Sequence, residues 1–75
     1  MEELVRYIAK SLVDDPEAVE VATVEEADPP MLELRVAAED RGRVIGKNGR
    51  TAHAIRTLLT AAAKDGEPSV LEILD

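Results

Sequence analysis

DRGRVIGKNGRTAHAI, residues 40–55, sets two closely spaced glycines between a short apolar run and a helical pattern. At its centre stands Gly46-Lys47-Asn48-Gly49, a four-residue turn bracketed by glycines, with Val44-Ile45 before it and a helical pattern from Arg50 after it. Glycine has no Cβ, so it takes positive φ and lets a ligand backbone come close. Two glycines at this spacing predict a tight loop with accessible amides. The following helix aims its unsatisfied N–H groups and positive dipole end at the same spot, which favours a phosphate. Lys47 meets a phosphate as a point charge, and Asn48 offers an amide. Arg50 at a helix start opposes the dipole, a conflict that a bound phosphate relieves.

Outward from the loop, Asp40 is a suitable N-cap for a short helix to about Ile45, and a longer helix is expected over residues 50–64. The longer helix carries Ala52, Ile55, Leu58, Leu59 and Ala62 at helical spacing, with Gly66 suited to its C′ position. Residues 2–13 show the same period at Leu4, Val5, Ile8, Ala9 and Leu12, and Pro16 bars continuation. Tyr7, the only aromatic, is expected half-buried on that helix. Residues 17–26 read as a strand, with Val19, Val21 and Thr23 on one side. Residues 25–30 form a proline-closed connection. Met31–Ala37 is the clearest strand, with Leu32, Leu34 and Val36 inward and Glu33 and Arg35 outward. The two strands suit an antiparallel pair, and Ser69–Leu74 is the last strand. The result is a small α+β sandwich.

Charge is unevenly divided. Between Arg41 and Lys64 lie six bases (Arg41, Arg43, Lys47, Arg50, Arg56, Lys64) and no acid. The rest of the chain holds all 16 acids and three bases, a balance of −13, and the window's +6 brings the total to −7. A molecule this acidic repels nucleic acid as a whole. One positive window in a negative background points to a localised polyanion site.

Val44-Ile45-Gly46-Lys47-Asn48-Gly49, with Ile55 six residues on, resembles the core of a KH domain, a module that binds single-stranded RNA or DNA through a GXXG loop. Leu4-Val5-x-Tyr7-Ile8, Leu12-Val13-Asp14-Asp15-Pro16, Leu32-Glu33-Leu34-Arg35-Val36, Ala54-Ile55-Arg56-Thr57-Leu58-Leu59 and Val70-Leu71-Glu72-Ile73-Leu74 are similar to the small bacterial KhpA family over nearly the whole chain. The resemblance implies the type II (prokaryotic) KH arrangement, α-β-β-α-α-β, with helices on one face of a three-stranded sheet. It also implies a groove beside the loop that receives bases, and about four nucleotides bound per domain. RNA-binding positions carried over are Arg43, Ile45, Gly46, Lys47, Asn48, Gly49 and Arg50. Val44 and Ile55 suit the core, and Ile45 either core or groove floor. For Arg41 and Arg43 a solvated charge is as good a reading as a contact, and Arg56 and Lys64 read as outer-surface charges. With no aromatic near the loop, ring stacking is not a main source of affinity. The resemblance further implies an RNA-chaperone role, a homodimer, a KhpB-like RNA-binding partner and a link to cell shape in related bacteria. An interaction module, with RNA contact made mainly by the partner, is the reading from another class.

Other chemistries find little support. A Walker loop needs four residues between its first glycine and Gly-Lys-[Ser/Thr], but Gly42 and Gly46 enclose three and Asn48 follows Lys47. The dinucleotide fingerprint lacks its strand and βαβ unit. Without cysteine, and with one histidine, neither a disulfide framework nor a metal cluster is expected, and no cofactor. His53 has no neighbouring nucleophile, so no enzymatic role is expected. No apolar run approaches the roughly 18–20 residues of a membrane span. Met-Glu-Glu does not open like a secretory signal, so a cytoplasmic location is expected. Seventy-five residues suit one domain, here residues 1–75, near the lower size limit for folding unaided.

Overall fold

In a computed structural model, which describes residues 1–74, the elements run α1 (Glu2–Leu12), β1 (Glu20–Val24), β2 (Met31–Arg35), α2 (Arg41–Ile45), α3 (Arg50–Ala62) and β3 (Val70–Ile73). Three short 3-10 turns, Pro16–Ala18, Ala38–Asp40 and Lys47–Gly49, lie between them. β1 pairs antiparallel with β2, and β2 pairs parallel with β3, giving a mixed sheet of order β1-β2-β3. This is the expected α+β arrangement of a type II KH domain, with the helices packed against the sheet.

The alternation in β2 explains why this face is covered. Leu32 and Leu34 are fully buried and Val36 nearly so, whereas Arg35 is exposed. Beneath them α1 places Val5 and Ala9, α2 places Val44, and α3 places Ile55 and Leu59 in the same cluster, which Leu71 closes from β3. At roughly 25 cal/mol per Å2 of apolar area, each such leucine or valine contributes about 1.5–3 kcal/mol. The Thr23 hydroxyl donates to a Glu2 carboxylate, tying β1 to the start of α1.

Several local expectations are corrected. The strand expected over residues 17–26 begins only at Glu20, because Pro16 starts a 3-10 turn that takes up Glu17 and Ala18. β2 ends at Arg35 rather than Ala37, and β3 is shorter than residues 69–74. α3 ends at Ala62, where Ala63 turns extended. Gly66, with φ +83°, therefore serves not as its C′ residue but in a separate turn closed by the Glu67 N–H to the Lys64 carbonyl at 2.9 Å. Leu58 and Ala62 have the right period but sit on the edge of the helical stripe, and both are exposed, Leu58 by 55%. Tyr7 is exposed by 73% rather than half-buried.

Candidate nucleic-acid interface

The loop geometry follows from its residue types. α2 closes with the Gly46 N–H on the Gly42 carbonyl at 2.8 Å. Gly46 then takes φ +77° and ψ +169°, a region open essentially to glycine alone. Asn48 at φ +57° and Gly49 at φ +76° both lie in the left-handed region, which asparagine tolerates better than most residues. Arg50 returns to right-handed helix at φ −63°. The turn is held by the Gly49 N–H on the Gly46 carbonyl at 3.1 Å and the Arg50 N–H on the Lys47 carbonyl.

Lys47, Asn48 and Arg50 are exposed, and neither cation is ion-paired among the described residues. Gly46, Gly49 and Ile45 are half-buried, while Val44 and Ile55 are core residues. The seven sequence-assigned positions thus lie on one continuous corner, from the second half of α2 through the turn to the first residue of α3. Arg43 differs from its neighbours. Its Nη2 donates to Asp14 Oδ2 at 2.9 Å and its Nε lies 3.2 Å from Asp40 Oδ1. Three of its five N–H donors take no part in these contacts.

Two further arginines link the helices to β3. The Leu74 N–H bonds to the Leu34 carbonyl, so in this parallel pair Leu71 and Ile73 turn their backbone groups to the open edge. Arg56 Nε donates to the Leu71 carbonyl there at 3.2 Å. Arg41 Nε donates to the Leu74 carbonyl at 3.2 Å. Arg56 is therefore a tether between α3 and β3, not the purely outer charge expected of it. Neither contact carries a sequence signal, since each joins a side chain to a remote backbone carbonyl.

Besides Asp14 and Asp40 at Arg43, further acids lie on the sheet. Paired strands place Glu33 beside Glu72, and Glu20 beside Arg35, on the sheet face away from the core leucines. His53 is exposed on α3 beside Arg56, Thr57 and Thr60 along a shallow cleft. Among the described residues no group of three or more candidate ligands could hold a metal ion, and no helix is long and apolar enough to cross a membrane.

Known proteins show which family the chain falls in. The family profile described as "KhpA/KhpB, KH domain" matches residues 2–73. RNA-binding protein KhpA of Clostridium perfringens is 55% identical over 75 residues, covering 99% of this chain and 100% of that one. RNA-binding protein KhpA of Caldanaerobacter subterraneus subsp. tengcongensis is 53% identical with the same coverage. That of Treponema pallidum is 51% identical, covering 99% of this chain and 94% of its own length. No solved structure matches the chain. A family profile spanning all six elements, together with relatives identical at half their positions from end to end, makes this chain a member of the KhpA family of KH domains.

Proposed function

We propose that the protein binds short single-stranded RNA by clamping its sugar–phosphate backbone at the Gly46–Gly49 corner. The observation that carries this reading is the exposed Lys47 and Arg50, neither ion-paired among the described residues, on a turn with positive φ at Gly46, Asn48 and Gly49. Amides of the turn that do not close it take the phosphate, with Lys47 and Arg50 neutralising it and Asn48 adding a hydrogen bond. Arg43 reaches the strand with the guanidinium donors left over from Asp14 and Asp40. Ile45 offers an apolar floor for a base. Few side chains are available to read base edges, so selectivity is low, as suits an RNA chaperone. Relatives named as RNA-binding proteins support the ligand class, and the family's description as KhpA/KhpB supports a KhpB-like partner. A homodimer in the cytoplasm completes the proposal, and the residues serve no enzymatic reaction.

The net charge of −7 and the acidic outer face of the sheet favour a second reading, an interaction module whose partner makes most of the RNA contact. Replacing Lys47 and Asn48 together by aspartate separates the two. The clamp requires oligoribonucleotide binding to collapse while the circular dichroism spectrum and melting temperature hold. Unaltered binding leaves the interaction module.

A further inference from the structure

The acid just ahead of the basic window is also the one buried charged residue among the described residues, Asp40, exposed by 2%. As the residue preceding α2 it holds the N-cap position, yet its side chain makes no capping bond to that helix. It turns instead toward the segment that follows α1. Its Oδ1 accepts the Asp14 N–H at 3.2 Å, and its Oδ2 accepts the Asp15 N–H at 3.0 Å. Oδ1 also lies 3.2 Å from Arg43 Nε, while Arg43 Nη2 donates to Asp14 Oδ2 at 2.9 Å. One carboxylate thus joins the end of α1, the start of α2 and a side chain one turn along α2.

Each group facing Asp40 is a donor, so an acceptor-only side chain is required on both oxygens. An asparagine of the same shape would set an NH2 against one of them, leaving a buried donor unsatisfied. The position of α2 depends on this anchor more than on its own hydrogen bonds. A five-residue helix closes too few bonds to offset its nucleation, and its last residue runs straight into Gly46. Whatever fixes the azimuth of α2 fixes where the loop amides point.

We propose that Asp40 is the positioning residue of the RNA clamp, holding α2 and the Arg43 guanidinium so that the Gly46–Gly49 turn is preformed for a phosphate. The proposal rests on the RNA-binding reading above and adds a residue that touches no RNA. It is tested on the full chain with a fluorescein-labelled octauridine, by anisotropy, alongside amide NMR spectra of the free protein. Asp40→Asn is expected to weaken binding about tenfold or more, the size that one lost buried hydrogen bond supports, and to move the amide resonances of residues 46–50. Val5→Ala, a core truncation on α1, supplies a destabilised control that keeps both the affinity and those resonances. If Asp40→Asn yields no folded spectrum, Asp40→Glu, which keeps the charge but displaces it, is read in the same way with the same expected direction. Binding by the folded Asp40 variant within about threefold of the unsubstituted protein, a change below 1 kcal/mol, overturns the assignment. In that case loss of binding by the Lys47→Asp, Asn48→Asp protein leaves the clamp itself standing. Should that double variant also bind normally, both the clamp and the positioning role fall.

Discussion

Gly46 lies so close to Thr51 that a Cβ on it would stand 2.7 Å from the Thr51 amide nitrogen. The first turn of α3 is therefore packed directly onto the loop's leading glycine, and the conformation at φ +77° excludes other residues independently of space. Gly46→Ala is expected to destabilise the protein by about 1–3 kcal/mol and to abolish measurable RNA affinity, because relief of the clash moves the amides away from the phosphate. Gly42→Ala is the control. It sits in α2 with nothing within 4 Å of an added Cβ and no positive φ, so it is expected to be neutral or stabilising by up to about 1 kcal/mol. Thermal unfolding of the two variants reads the contrast, and equal losses would place the constraint elsewhere.

The clamp also sets the salt dependence. In the proposed clamp, Lys47 and Arg50, with the Arg43 donors outside its contacts to Asp14 and Asp40, would neutralise two or three phosphates. A log–log plot of affinity against salt is then expected to fall with a slope of roughly −1.5 to −2 for a single strand. Arg50→Ala removes one of those contacts and is expected to flatten the slope by roughly 0.7. A slope near zero in the unsubstituted protein contradicts phosphate recognition at this corner.

What could be read in the sequence is what is decided locally. The turn at Gly46–Gly49 was legible because φ preference belongs to single residues, and β2 because its alternation at Leu32, Leu34 and Val36 maps directly onto burial. Periodicity alone misjudged Leu58, since a helix stripe has edges whose cover depends on neighbours far along the chain. Gly66 was placed at a helix end because a glycine after a helical run has that meaning on average. Here the helix ends earlier and the glycine serves another turn. Asp40 shows the firmest limit. Its partners are backbone N–H groups 25 and 26 residues away, and no side chain pattern marks a backbone donor. The tether from Arg56 to the Leu71 carbonyl was illegible for the same reason.

Below the Gly66 turn, the Lys64 N–H donates to Glu67 Oε1 at 2.8 Å. That bond, ahead of nearby positive charge, holds the Glu67 carboxyl below its ordinary 4.5. A carboxyl with a lowered folded pKa adds stability above the unfolded value and loses it as pH falls through the folded one. Glu67 stays partly open to solvent, so the effect is small. Glu67→Gln is expected to melt slightly lower than the unsubstituted protein at neutral pH, with the gap closing as pH falls below about 4.5. A gap that stays constant down to acid pH would mean that the carboxylate charge plays no part in the turn.

Leu58 and Leu59 offer the sharpest test of how α3 faces the sheet, because adjacent identical side chains differ only in direction. Leu59 is fully buried in the core cluster that also holds Leu32, Leu34 and Val44, while Leu58 is 55% exposed. Leu59→Ala should lower stability by about 2–5 kcal/mol through lost transfer energy and the cavity left behind. For a chain this short that is a large part of the total, at about 0.05–0.15 kcal/mol per residue. Leu58→Ala should change it by no more than about 0.5 kcal/mol in a monomer. Denaturant unfolding of both, repeated over a range of protein concentration, checks the assignment and the proposed self-association together. Comparable losses at the lowest concentration would rotate α3 away from the orientation described. A loss at Leu58 that grows with concentration would instead mean that a second copy covers it, which only a self-associating protein can produce.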